Sequence, residues 1–524
     1  MLIRIFSAKC IGVDAVKVVV EVNISSGIGI HLVGLAYIAV KESLLRTTTA
    51  LESLGYHVPG KRIVINLAPA DLQKNGSGYD LPIALGIIAA SEQKALTDLH
   101  RYLIMGELGL NGTVRPIPGA LPYAELAEKE GLSGIILPEE SALEATEFEG
   151  LNVFGVRTLD EVVRILEGVS DVSDLQIRNS QTYRTLLKNR KNGPSVSGIP
   201  DFSEIIGQEE AKRGVEIAAA GNHNVIMLGS PGSGKSSLAR AMVGIMPPLT
   251  REEALMTSKI YSVVGRRDAK LGLMRQRPFR SPHCSSSLPA VIGGGSGENI
   301  TPGEVTLAHN GILFCDEFPQ MPKSVAEALR APLEDRKVVI SRLKSKVEYP
   351  ASFMLVAAGN SCPCGYWGDG DRCVCTPYQR MSYLSRISGP ILDRVDIHLF
   401  LRRIASDRLS APVRMESSAA VAARVLKARA IQKERFAPER DSGNMIMTNA
   451  EMSNREIEKY CALDGDCKEM LAKLMDRMGL SLRAYFRIIK VARTIADLAG
   501  EKDILPRHIA EAAGYRFLDR EKDL

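Results

Sequence analysis

Along the first 175 residues, short runs of β-branched and other apolar side chains alternate with segments whose apolar positions recur at helical spacing. VKVVVEVNI, KRIVINLAP and LSGIILP read as strands, and the stretch around ALPYAELAEKEG reads as a helix. The prediction is an α/β domain over 1–175. Residues 176–200, QIRNSQTYRTLLKNRKNGPSVSGIP, are polar and basic, with Gly, Pro and Ser gathered towards the end. Little in them asks for burial, so this segment is expected to be a linker. Between 201 and 410 the runs NVIMLG, GILFCDE, SFMLVAA and VDIHLFL alternate with helical stretches, the pattern of parallel strands covered on both faces. From 411 to 524 only helical periodicity remains, as in AAVAARVLKARAIQKERF and LRAYFRIIKVARTIADLAG. The fold expected is therefore multidomain α/β, with a parallel-sheet middle and a helical end.

Composition changes this picture little. The chain has 524 residues, 45% hydrophobic and 24% charged, which suits a globular protein of about two to four domains. No apolar run reaches the roughly 18 residues that cross a bilayer. The opening MLIRIFSAKCIGVDAVKVVVEV is strand-like and broken by charges, unlike a signal peptide. A cytoplasmic protein without membrane contact is expected, in a compartment where structural disulfides are disfavoured. The net charge of +5 permits a nucleic-acid partner but does not argue for one.

Chemistry enters with GSPGSGKS, Gly229, Ser230, Pro231, Gly232, Ser233, Gly234, Lys235 and Ser236, which fits G-x-x-x-x-G-K-[ST]. It follows an apolar run and precedes a helical one, the context such a phosphate-binding loop requires. Its glycines let backbone N–H groups curl around phosphate oxygens; Lys235 would meet the β- and γ-phosphates and Ser236 a Mg²⁺ ion. A bland glycine turn is the competing reading, and the flanking strand and helix disfavour it. GILFCDE ends in Asp316 and Glu317, about 80 residues on. Asp316 suits the Mg²⁺-linked acid and Glu317 the group that polarises water. SFMLVAAGN places Asn360 at the same edge of a parallel sheet, where ligands of such sheets bind. Arg386 and Arg394 follow in SRISGPILDRVD; either alone would be read as a surface salt bridge.

GSPGSGKS, ILFCDE, AAGN, CPCGYWGD, ISGPILDRVD and LRAYFRIIKVARTIADL, in this order, resemble the ComM/YifB family of Mg-chelatase-like AAA+ ATPases over essentially the whole chain. The resemblance implies ATP and Mg²⁺ as cofactors and a homo-hexameric ring. It makes Asn360 the sensor 1 residue, Arg394 an arginine finger reaching the neighbouring subunit, and Arg483 in SLRAYFR a sensor 2 arginine on a helical lid, acting on the ATP of its own chain. Arg386 would be a second contact to the neighbour. A finger that reaches into the next subunit is naturally supplied by a closed heterologous ring. In related ring motors a hairpin before sensor 1 enters the pore; KVVISRLKSKVEYPAS has that pattern, with Arg342, Lys344 and Lys346 near its tip. Lys344 and Lys346 are thus candidate DNA contacts, weighed evenly against a solvated turn.

GELGLNGTVRPIPGALPYAELAEKEGLSGIILPEE resembles the proteolytic domain of Lon. Aligned with its nucleophile loop, KNGSGYD puts Gly78 at the serine position beside Ser77, and Leu121 and Tyr123 stand where lysines would. A Lon-protease-like N-terminal domain without the catalytic dyad is expected, serving as a DNA-binding or ring-stabilising platform.

Four of the nine cysteines, Cys362, Cys364, Cys373 and Cys375, form two C-x-C pairs in CPCGYWGDGDRCVC. The ligand number is that of a structural zinc site, although the spacing is tighter than the usual C-x₂₋₄-C. Reduced thiols and a redox disulfide pair stay open beside it. Cys10, Cys284, Cys315, Cys461 and Cys467 show no ligand spacing and read as core or incidental. The family resemblance implies a ring motor acting on single-stranded or branched DNA, a helicase or branch-migration activity in homologous recombination or natural transformation. A chelatase-like or regulatory ATPase with a protein client is the alternative. A protease is argued against by the missing dyad.

Overall fold

The computed structural model describes residues 2–520 apart from 35–37, 73, 75, 169–170, 192–197, 268–271, 297–298, 343–344, 404–414 and 442–445. Seven strands form the first sheet: β1 (Leu2–Ile11), β2 (Asp14–Ser25), β3 (Gly29–Val33), β4 (Arg62–Ala68), β5 (Tyr102–Ile104), β6 (Gly134–Pro138) and β7 (Asn152–Val156). Their order is β3-β4-β2-β1-β5-β6-β7. β1, β2 and β4 pair antiparallel, while β5, β6 and β7 continue in parallel from β1. Period-two burial explains β4, whose Ile63, Ile65 and Leu67 are fully buried between exposed or half-exposed neighbours. The helix Asp80–Ala90 is buried along its whole length. It can lie that close to the sheet because Gly86 has no side chain: a Cβ there would stand 2.4 Å from Val22.

The predicted linker is corrected in part. Residues 173–179 form short 3₁₀ turns and Gln181–Lys191 forms a helix. Leu175, Ile177 and Leu186 are buried in the first domain's core. Two apolar anchors within the basic stretch, Ile177 and Leu186, suffice to dock it, and average polarity hides them.

The second sheet contains β8 (Val225–Gly229), β9 (Phe279–Arg280), β10 (Ile312–Cys315), β13 (Met354–Gly359) and β14 (Ile397–Leu401), in the order β9-β10-β13-β8-β14 and parallel throughout. β8, β10 and β13 are buried at every position, which explains their unbroken apolar runs. The sequence pattern indicated four of the five strands; β9 spans two residues, too short for any periodicity to register. Between β10 and β13 stands a separate hairpin, β11 (Lys337–Arg342) with β12 (Ser345–Pro350).

Beyond β14 the described residues form helices only, chiefly Ser418–Arg435, Gly465–Met478, Leu482–Ala499 and Pro506–Gly514. Ser417, Asp464 and Ser481 cap the first three through side-chain oxygens. Leu482–Ala499 packs on Ser418–Arg435 and on Glu209–Gly221 of the central domain, so the helical region shares that domain's core. No helix of the described residues is long and apolar enough to cross a membrane.

The two sheets belong to one body. Lys259, on the helix Arg251–Val263, is buried and donates at 2.6 Å to both Asp14 and Glu125 of the first domain. Burial works against its charge, but the two carboxylates more than offset it and raise its pKa. The β1–β2 turn also inserts Val13 into the apolar cluster that holds Val338, Val347 and Tyr349 of the hairpin.

Candidate active site

The phosphate loop, Gly229–Ser236, runs from β8 into the helix Lys235–Ile245. Gly232 (φ +75°) and Gly234 (φ +92°) occupy the left-handed region that glycine alone adopts without cost. At Gly229 a Cβ would lie 2.2 Å from the Leu401 carbonyl, so close strand packing requires glycine there too. Ser230 and Ser233 are buried, and Pro231 is exposed at the loop's crest. Lys235 is buried; its Nζ donates to the carbonyls of Gly229 (2.8 Å) and Ser230 (3.0 Å). Burial lowers its pKa and Asp316 pulls the other way.

Two other strand ends, those of β10 and β13, meet this loop. Ser236 Oγ donates to Asp316 Oδ2 at 3.0 Å, so the two residues expected to share Mg²⁺ are in direct contact. Their oxygens, one hydroxyl and one carboxylate, are the hard donors this ion takes. Glu317 sits at φ +50° and donates its own N–H to Asp316 Oδ1 (2.9 Å). Asn360 follows β13 at the same edge, its backbone N–H directed at the Tyr383 phenol oxygen. All these strands are parallel, so their carboxyl ends necessarily share one edge.

The arginines divide differently from expectation. Arg394 precedes β14, where the Asp396 and Ile397 amides bond the Asn224 carbonyl just before β8. That is the amino edge of the sheet. Arg394 pairs with Glu334 and donates to the Pro390 carbonyl (2.9 Å). Arg483 donates to Asp393 (3.3 Å), and Arg487 pairs with Asp396. Glu334, Asp393, Arg394, Arg483 and Arg487 line one cavity of about 340 Å³. Arg483 was expected to reach the ATP of its own chain; in this structure it lies beside Asp393, in the cavity that Arg394 also lines. β8 is five residues long, so about 16 Å of strand separates the amino edge from the phosphate loop. Arg386 parts from Arg394: it lies 5.6 Å over the Tyr383 ring, on the side of its own Asn360.

At that amino edge Asp396 is fully buried, which by itself would raise its pKa; Arg487 and His223 reverse this and hold it well below the usual carboxylate range. His223 Nδ1 lies 3.1 Å from Asp396 and Nε2 2.8 Å from Thr494, tying the sheet to the helix that carries Arg483.

Lys346 is exposed on β12, opposite Ser341. Lys344 lies outside the described residues. In the first domain, Ser77 donates to the Glu107 carboxylate, and Leu121 and Tyr123 are buried in the core. A Cβ on Gly78 would stand 2.9 Å from Met105, in space already filled.

The sequence reading missed three residues. Cys284, read as incidental, places its thiol 3.6 Å from Glu317 Oε2. Gln208, at φ +62° after Gly207 at the same angle, bonds the carbonyls of Ser233 (3.1 Å) and Arg402 (2.6 Å) and so buttresses the phosphate loop. Tyr383 props Asn360. Only the I-G-Q turn before a helix was a legible signal; the other two contacts join distant segments. The four clustered cysteines come together, with all sulfur atoms within 4.8 Å of one another.

A phosphate loop, an acidic strand end and a polar residue on a third strand, with a helical region on the sheet, define a nucleotide-binding AAA+ protein of the Mg-chelatase type. Residues 201–409 match the family described as magnesium chelatase, subunit ChlI; residues 20–141 match subunit ChlI of Mg-chelatase, and 415–516 its C-terminal part. The chain is 41% identical over 519 residues to the competence protein ComM of Haemophilus influenzae, covering 98% of this chain and 97% of that one. It is also 41% identical over 518 residues to the uncharacterized protein YifB of Salmonella typhimurium, with the same coverage. An archaeal Lon protease of Methanocaldococcus jannaschii is 27% identical over 164 residues, 29% of this chain and 25% of that protein. The chain belongs to the ComM/YifB family of Mg-chelatase-like AAA+ ATPases.

Proposed function

We propose that the chain hydrolyses ATP as a homo-hexameric ring and uses the energy to move single-stranded or branched DNA, as a helicase or branch-migration motor in recombination or natural transformation. The observation that carries the ring is the split between the two sheet edges. Phosphate loop and water-activating acid stand at one edge, and Arg394 and Arg483 at the other, beyond reach of them. A ring in which the amino-edge cavity of one subunit faces the phosphate loop of the next joins the two halves, and both arginines then act across the interface.

Lys235 would exchange the carbonyls of Gly229 and Ser230 for phosphate oxygens, an exchange its buried, partly desolvated charge favours. Ser236 and Asp316 would hold Mg²⁺, which neutralises charge developing on the phosphates. Glu317 takes the proton of the attacking water, and Asn360 orients that water. Arg394 leaves Glu334 to stabilise the transferring phosphoryl group, a contribution on the order of 10³–10⁵ in rate for such arginines.

DNA as the client is supported by the exposed Lys346 on the hairpin and by the resemblance to a protein named for competence. A cytoplasmic setting fits that client. The match to a chelatase subunit favours a second reading, an ATPase driving a protein partner. Steady-state ATPase assays with and without single-stranded and forked DNA, at two salt concentrations, separate the readings. Stimulation that weakens with salt and vanishes in Lys235→Ala and Glu317→Gln supports the DNA motor. A basal rate indifferent to every DNA sinks it and leaves the protein-client ATPase.

A further inference from the structure

The cysteine loop begins two residues after Asn360 and folds back against the phosphate loop. Its sulfurs are not paired as disulfides. Cys362 Sγ lies 3.3 Å from Cys364 Sγ and 3.8 Å from Cys373 Sγ, and Cys364 and Cys373 are 3.8 Å apart. A disulfide would hold two sulfurs about 2.05 Å apart. Tetrahedral zinc, with Zn–S bonds of about 2.3 Å, holds four sulfurs about 3.8 Å apart. Three of the sulfurs thus already stand close to one tetrahedral edge length apart, and Cys375 Sγ lies within 4.8 Å of each. Backbone amides point at them: Trp367 N–H donates to Cys362 Sγ (3.3 Å), and backbone groups of Tyr366 and Val374 bond Cys364. Such N–H donors stabilise metal-bound thiolates.

The turns between the pairs are built for this convergence. Gly365 (φ +86°), Gly368 (φ +89°) and Gly370 (φ +62°) all lie in the left-handed region. Gly365 does a second thing. A Cβ there would stand 3.0 Å from Cδ of Pro231, the crest of the phosphate loop, and 3.8 Å from the Asn360 amide carbon. Behind the loop, Ser361 donates to the Trp367 carbonyl (2.8 Å), and Trp367 packs edge-on against Phe400 of β14 at 5.7 Å. The cluster therefore bridges β13, β14 and the phosphate loop.

We propose that Cys362, Cys364, Cys373 and Cys375 bind one Zn²⁺ and that this centre is a clamp holding Pro231 and Asn360 in place for the nucleotide. Binding replaces thiol protons by four Zn–S bonds, the protons passing to solvent, with no change of oxidation state. The first half of the proposal stands on the cluster alone; the clamp rests on the reading of Gly229–Ser236 as an ATP site.

The test uses the full-length chain, purified under reducing conditions without added metal. Elemental analysis should find about one zinc per chain, and replacement by Co²⁺ should give thiolate-to-metal charge-transfer bands with the visible bands of a tetrahedral site. Cys10→Ser should keep the zinc, and the double variant Cys373→Ser/Cys375→Ser should lose it. Chelator-stripped protein should bind a fluorescent ATP analogue about tenfold more weakly and regain affinity on adding zinc alone. Trace zinc together with no thiolate–cobalt absorption overturns the site. Stoichiometric zinc with equal nucleotide affinity in stripped and reloaded protein overturns the clamp. Zinc-replete protein that binds no nucleotide overturns both the clamp and the ATPase reading while supporting the metal site.

Discussion

The two edges of the central sheet are built from different materials. At the carboxyl edge the geometry is made by backbone: glycines at positive φ, a lysine bonded to its own loop's carbonyls, and a serine touching Asp316. At the amino edge it is made by long charged side chains that hold one another, Arg394 with Glu334 and Arg483 with Asp393. A backbone cradle is costly to rearrange. The Arg483–Asp393 pair, with the arginine two-thirds exposed, contributes only about 0–1 kcal/mol and exchanges partners readily. One edge is preorganised to receive a ligand; the other is held together by ion pairs between side chains.

The sharpest way to break this contrast is Arg394→Ala, which should lower kcat by about 10³-fold or more while leaving nucleotide affinity nearly unchanged. Mixing it with Glu317→Gln decides the direction. If the arginine acts across an interface, mixed rings regain activity, because some interfaces pair an intact acid with an intact arginine. An arginine acting within its own chain gives no rescue.

A pH effect also belongs to the amino edge. His309 is buried just ahead of β10, and burial lowers its pKa to about 4 against the influence of Glu253 and with that of Arg277 and Arg336. Its Nδ1 accepts the Ser352 N–H at 3.0 Å, which only the neutral ring can do. The unfolded chain takes up this proton from about pH 6.5 downward and the folded one only near 4. Stability should therefore fall by about 3 kcal/mol as pH drops through that window. His309→Asn, which keeps an acceptor that does not titrate, should flatten the loss in urea unfolding measured at several pH values.

Arg483→Ala should cost about 10²-fold in kcat and should also be rescued in mixed rings. Failure of that rescue, with Arg394 rescued, would mean that the lid moves back over its own phosphate loop. The smallest effect expected is at the hairpin. Lys346→Ala should reduce the slope of log DNA affinity against log salt by about 1 and leave the DNA-free ATPase rate unchanged.

Strands β8, β10, β13 and β14 were legible because buried parallel strands need uninterrupted apolar runs, and Gly229–Ser236 because its spacing follows from phosphate geometry. Asp316, Glu317 and Asn360 followed from their places at the ends of such runs. The docked helix Gln181–Lys191 was not legible, since Ile177 and Leu186 are isolated anchors in a polar stretch. Nor were Cys284, Gln208 and Tyr383, whose roles arise from contacts across 33, 25 and 23 positions of chain.

Local order along the chain thus sufficed for the elements and for the chemistry of the phosphate loop, because both depend on neighbours within one strand, turn or helix. Which edge each arginine occupies, how the first domain locks onto the second through Lys259, and where the cysteine loop rests depend on strand polarity and on packing between distant segments. The sequence placed Arg394 and Arg483 in sites of different subunits; the direction of β14 brings both to one amino-edge cavity.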